Sequence, residues 1–143
     1  MNRVNIALII IVVIAGISFF AVPEIIEIIE RNNVESSIQK TIDSFDGRLS
    51  SVILTEGKYY SFVLDEDLEK ILLHPRKELI NKAPTGLTHA NISIEEMKDR
   101  LEEYGSTWVD YTFYDPMTGD VEPKTTKLVI RSEYVFGAGY YSP

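Results

Sequence analysis

The stretch that decides the fold is Ser106-Thr-Trp-Val-Asp-Tyr-Thr-Phe-Tyr114, the turn Asp115-Pro-Met-Thr-Gly119, and the runs Thr126-Lys-Leu-Val-Ile130 and Tyr134-Val-Phe-Gly-Ala-Gly-Tyr140. β-Branched and aromatic residues broken by Pro and Gly turn chemistry are the pattern of successive antiparallel strands. Side chains alternate along a strand, so Trp108, Asp110, Thr112 and Tyr114 share one face and Val109, Tyr111 and Phe113 the other. Both faces carry aromatics, whereas a sheet solvated on one side is polar there. The expectation is an antiparallel sheet with a helix on one face and a pocket-forming loop or hairpin on the other. Gly137 and Gly139 leave room for another group to approach the backbone of the last strand closely.

Working upstream, Tyr59 to Leu64, the polar turn Asp65-Glu66-Asp67-Leu68 and Glu69 to His74 form a hairpin of alternating faces. The four acids at 65, 66, 67 and 69 lack the spaced ligands and central glycine of an EF-hand calcium loop. Arg76 to Asn91, with Pro84 and Gly86 and no clean period, predicts a loop around the edge of the domain. A loop of that length in a compact domain is usually functional. Ser93 and Glu96 form a capping box for a helix whose apolar face is Ile94, Met97, Leu101 and Tyr104, and Gly105 stops it. Asn91-Ile92-Ser93 also matches a glycosylation sequon, but Ser93 is better used as the cap.

At the N-terminus, Val4 to Val22 is 19 residues without a charge, enough as a helix to span roughly 28 Å and cross a bilayer. Arg3 precedes it and Glu24, Glu27 and Glu30 follow, which places the N-terminus in the cytoplasm and the bulk of the chain outside the cell membrane, as a single-pass protein. Residues 1–22 are therefore expected to be a transmembrane anchor, with a cleaved signal peptide ending near Gly16-Ile17-Ser18 as the alternative. The apolar run continues through Phe19 and Phe20, which favours the anchor. The helix is expected to continue beyond it, resuming at Pro23, a good first-turn residue, and carrying Ile25, Ile26, Ile28, Ile29, Val34, Ile38, Ile42 and Phe45 as an amphipathic stripe before Asp46-Gly47. Its distal half is expected to cover the sheet, and its proximal half to pair with a partner helix, making a homodimer a reasonable expectation.

Arg3 is the sole charged side chain before Glu24, so the rest of the chain sets 13 basic residues against 22 acidic ones, a formal charge of −9. Such a surface repels nucleic acid. The absence of cysteine excludes a disulfide framework, thiol nucleophiles and thiolate metal sites. There is no glycine-rich phosphate loop or nucleophile elbow, and the two histidines, His74 and His89, lack metal-ligand spacing. Enzymatic activity, a metal and a cofactor are accordingly not expected.

The order of a membrane helix, a long first helix, Tyr60-Ser-Phe-Val-Leu-Asp-Glu-Asp67, Leu72-Leu-His-Pro75, a Gly-x-x-Trp-Val-x-Tyr strand, a Pro-x-x-Gly turn, Pro123-Lys124 and Tyr134-Val-Phe-Gly-Ala-Gly-Tyr-Tyr141 resembles the single-Cache sensor domains of bacterial and archaeal receptors. The resemblance covers the chain from Pro23 onward. It implies an α+β, PAS-like fold for residues 23–143, an antiparallel sheet behind a long N-terminal helix, and extracytoplasmic sensing of small metabolites, often short organic acids. Matched to the family's pattern, Tyr60 and Trp108 would wall a ligand, Tyr111 and His74 would donate hydrogen bonds, and Lys124 would supply charge to a carboxylate. Lys127 departs from the family, where an aromatic is usual, and no second membrane helix or signalling region follows before Pro143. The sequence thus leaves open a sensor acting through a membrane partner, a binder that does not transduce alone, or a piece of a receptor. A structural or protein-interaction module on the outer membrane face is the reading from a different class. An enclosed cavity of polar and aromatic side chains separates a sensor from a module with a filled core.

Overall fold

The computed structural model describes the backbone of residues 3–142 and the side chains of residues 22–142. The chain divides into two compact units, Met1–Asn32 and Asn33–Pro143. Helix α1 is continuous from Arg3 to Ser44, and Pro23 lies inside it rather than in a first turn. Among the described residues no helix is long and apolar enough to cross a membrane. All but Val22 of the anchor expected over residues 1–22 lies outside the described side chains.

In the second unit five antiparallel strands, β1 (Ser61–Asp65), β2 (Ile71–Leu73), β3 (Ser106–Tyr114), β4 (Val121–Arg131) and β5 (Tyr134–Tyr141), form one sheet in the order β2-β1-β5-β4-β3. Tight turns join β1 to β2, β3 to β4 and β4 to β5, whereas β2 and β3 lie at opposite edges. Asp65 Oδ1 accepts the Glu69 and Lys70 amides in the first, and Asp115 Oδ1 accepts the Met117 amide in the β3–β4 turn, where Gly119 supplies a φ of +83°. Asp65 is thus used as a turn former, and Asp67 pairs with Lys98 of the following helix at 3.1 Å. The first turn also inserts Leu68, at φ +58°, into the core.

The distal part of α1 covers one face. Val34 and Ile38 pack there with Val63, Phe136, Ala138 and Tyr140, while Ile42, Phe45 and Trp108 close the cluster at its margin. Two hydroxyls interrupt the apolar stripe, and each is satisfied. Ser37 bonds Thr55 Oγ1 and the Tyr59 carbonyl, and Thr41 Oγ1 lies 2.7 Å from Ser61 Oγ.

The opposite face is covered by α2 (Ile94–Tyr104) and by the segment between β2 and α2. Ser93 Oγ accepts the Glu96 amide and Gly105 ends the helix in the left-handed region, which buries Met97 and Leu101 against Val109 and Leu128. The segment before α2 is a strap tied to both edges of the sheet. At the β2 edge Ile71 donates to the Lys82 carbonyl and accepts from the Asn81 amide, and at the β3 edge Asn91 exchanges backbone and side-chain bonds with Asp110. The loop expected around the domain edge therefore crosses an entire face. Asn91, the first residue of the sequon, is one of its anchors.

Candidate functional site

Under the strap, toward the end of the sheet away from α2, lies a cavity of about 110 Å³. Its floor is the sheet and its roof the strap, with Leu79, Pro84 and Leu87 facing Leu64 and Ile71 to make an apolar end. At the other end converge Tyr60, His74, Tyr111, Phe113 and Lys124. The parity of the strands explains this set. Phe62 and Leu64 share one face of β1, with Tyr60 immediately before the strand, Tyr111 and Phe113 share one face of β3, and Lys124 stands in register between Tyr111 and Tyr141.

Three glycines make the space. A Cβ on Gly137 would clash with Cζ and Cε2 of the Phe62 ring, so the missing side chain is what lets that ring approach β5. A Cβ on Gly139 would strike Thr126 and crowd the Lys124 stem. On the strap, a Cβ on Gly86 would sit 2.8 Å from Tyr111 Cε2, so the roof approaches the β3 aromatics as closely as backbone can.

Lys124 is the unusual residue. It is 2% exposed, and its Nζ is 2.6 Å from the Tyr60 hydroxyl. The amine lies 4.2 Å from the Tyr60 ring centre, 4.9 Å from Tyr141, 5.5 Å from Phe113 and 5.8 Å from Phe62. Among the described residues no carboxylate stands within ion-pair distance of it. Burial pulls its pKa down to about 7, and the more remote negative charge of Asp115 pulls weakly the other way. The ring faces also favour the cation, each by about 0.5–2 kcal/mol.

His74 Nδ1 accepts the Arg76 amide at 2.9 Å, which leaves the proton on Nε2. Burial lowers its pKa to about 4, with the positive charges of Lys124 and Arg76 adding to the effect, so the ring is a neutral donor at physiological pH. Its ring stands edge-on to Tyr60 at 5.1 Å. The Tyr111 hydroxyl is 3.0 Å from Thr126 Oγ1, and burial raises the pKa of both Tyr60 and Tyr111, which stay protonated. The cavity thus offers hydroxyls, one imidazole N–H and one amine. No Asp or Glu lines it.

Of the five residues singled out in the sequence, Tyr60, His74, Tyr111 and Lys124 line this one cavity. Trp108 does not. It has the opposite parity to Tyr111 on β3 and packs on the α1 face, with Lys127 Nζ 5.5 Å from its ring. Lys127, the departure from the family pattern, also lies on that face, paired with Glu35 at 2.6 Å, and so is remote from the cavity chemistry. Phe62, Phe113 and Tyr141 complete the cage around Lys124 and were not singled out, although Phe62 shares the parity of Tyr60 and Phe113 that of Tyr111. A wider groove of about 300 Å³ runs beside α1 past Glu35, Gln39 and Lys127, but the charges of Glu35 and Lys127 satisfy each other.

No protein-family model matches the chain, and no curated protein is similar enough to be matched. Solved structures are similar. A periplasmic sensor domain of a chemotaxis protein superposes with a TM-score of 0.57 at 21% identity, over 79% of this chain and 92% of that one. A methyl-accepting chemotaxis protein from Vibrio parahaemolyticus gives 0.58 at 16% identity, over 85% and 91%. A third structure, described as the basis for carboxylic acid recognition by a Cache chemosensory domain, gives 0.52 at 14% identity, over 90% and 98%. The fold is that of the Cache-like sensor domains of chemotaxis receptors, as the order of motifs in the sequence implied.

Proposed function

We propose that this chain is an extracytoplasmic sensory domain whose strap-covered cavity binds a small monocarboxylate. The observation that carries the reading is Lys124, a buried amine facing a cavity with no carboxylate of the protein to neutralise it. A ligand carboxylate completes that pair, and the hydroxyls of Tyr60 and Tyr111 and the His74 Nε2–H are the further donors that orient it. The absence of any acid in the lining disfavours amines and amino acids, whose ammonium groups would be buried without a partner. The apolar end formed by Leu64, Ile71, Leu79 and Leu87 fits a short alkyl chain, and the volume limits the ligand to a few heavy atoms. The neighbour described by its carboxylic acid recognition supports the same class.

Residues 1–22 serve as the membrane anchor in this reading, and the signal passes to a partner in the membrane. Exposed Ile25, Ile26, Ile28 and Ile29 on α1 support pairing with another helix, a second copy of the chain included. Sedimentation of the protein at high concentration tests the dimer, and a monomer throughout removes it.

A thermal-shift screen against short monocarboxylates, amino acids, amines and purines tests the ligand class, because a ligand that binds the folded state alone raises the melting temperature by mass action. The expected result is a shift from monocarboxylates that disappears in Lys124→Met. A shift from amines or amino acids instead would overturn the assignment.

A further inference from the structure

Granting that the cavity takes a small carboxylate, we propose that Lys124 captures the carbonyl carbon of a 2-oxo acid as a reversible imine, so that oxo acids are held covalently and plain carboxylates are not. Two geometric facts point there. The amine is enclosed by four aromatic rings, with a phenol as its one hydrogen-bond partner among the described residues, and it borders an open cavity. Carboxylates pair with the more exposed lysines Lys127 and Lys98, through Glu35 and Asp67, whereas among the described residues Lys124 has no such partner.

Those facts matter because an amine is nucleophilic through its lone pair. An apolar enclosure without a counter-charge is the environment that releases a lysine from its proton, and the pKa of Lys124 is lowered accordingly. A site built for ionic pairing alone would be served better by a solvated ammonium or a guanidinium. His74 presents Nε2–H while its Nδ1 is occupied by the Arg76 amide, which makes it a neutral donor suited to the ligand carboxylate. The short alkyl group of the oxo acid then faces Leu79 and Leu87.

The step is balanced without an oxidant or reductant. The Lys124 lone pair forms the C–N bond as the carbonyl π pair moves to oxygen, which gains a proton while the nitrogen loses one. The Tyr60 hydroxyl, in hydrogen-bond contact with Nζ, is placed to relay it. The nitrogen lone pair then forms C=N, and the hydroxyl departs with a second proton as water. Amine and oxo acid have become imine and water, and hydrolysis reverses the change.

The test incubates the full chain with pyruvate and sodium cyanoborohydride, which reduces a C=N bond to a stable amine, and maps the modified peptides by mass spectrometry. The expected result is one adduct, on Lys124, formed at least about 10-fold faster than on exposed Lys77 or Lys82. Excess propionate should suppress it, Lys127→Arg should leave it unchanged, and Lys124→Arg and Lys124→Met should both lack it. Adducts spread over the exposed lysines with Lys124 unmodified overturn the inference. If propionate still raises the melting temperature in that case, covalent capture fails and carboxylate binding stands. If neither acid shifts it, both fail.

Discussion

Lys124 and Lys127 sit three residues apart on β4, and the odd spacing sends them to opposite faces of one sheet. Lys127 leans on Trp108 and meets Glu35 of α1, with 20% of its side chain exposed. Lys124 is sealed among aromatic rings, with a tyrosine hydroxyl in place of a carboxylate. The α1 face is assembled like an ordinary core, in which every polar intrusion finds a partner, as Ser37 and Thr41 do. The strap face keeps a cavity and an amine without a counter-charge. A satisfied surface pair stabilises modestly, whereas a buried amine without a counter-charge costs stability, and in the proposed function a ligand carboxylate offsets that cost.

The comparison breaks most directly at Lys124. Replacing it with Met should reduce carboxylate affinity by about 30-fold or more, since a buried charge-assisted pair is worth roughly 2–5 kcal/mol, while the same change at Lys127 should alter affinity by less than about 2-fold. Stability should move in opposite senses. Lys124→Met relieves a buried charge and should raise the melting temperature below pH 7, whereas Lys127→Met loses at most about 1 kcal/mol. Denaturant titration checks both, and a destabilised Lys124→Met would mean that the cage binds the ammonium as a structural cation.

The pH dependence of stability sharpens the same contrast. Lys124 is protonated below pH 10.5 when unfolded but only below about 7 when folded, so between those values the unfolded state holds more protons. Stability should therefore rise with pH across roughly 7 to 10.5, by up to about 5 kcal/mol from this group, and Lys124→Met should flatten the rise. His74 acts in the same sense at lower pH. With its pKa reduced from 6.5 to about 4, stability should fall as pH drops through that window, and His74→Gln should lessen the loss. Melting temperatures across pH measure both.

Gly137→Ala comes next. The new methyl must push the Phe62 ring into the cavity, costing about 1–3 kcal/mol of stability and abolishing binding. Gly86→Ala lifts the strap from Tyr111 and should affect binding more than stability. Equal losses from the two substitutions would argue that the strap is part of the rigid core.

Much of this was legible beforehand. Alternation along β3, the Ser93 cap, the Gly105 stop and the Asp115 turn are local chemistry, and each produces the element it signals. Parity on β3 even separates Trp108 from Tyr111, so the two could not have lined one cavity on the same face. Other features depend on contacts distant in sequence. Nothing in the segment from Arg76 to Asn91 shows that Asn81 and Asn91 fasten it to opposite edges, and nothing around Gly86 shows which ring it will meet. The lack of a counter-charge at Lys124 is likewise a property of three-dimensional neighbours, with Asp115 close in sequence yet turned to its own loop.

Calorimetric titration of propionate at pH 8, run in two buffers of different ionisation enthalpy, is the most direct test of the central claim. A neutral Lys124 must gain a proton to pair with the incoming anion, so the account predicts binding with uptake of close to one proton, retained in Lys127→Met and absent with binding itself in Lys124→Met. Binding that persists in Lys124→Met would contradict it.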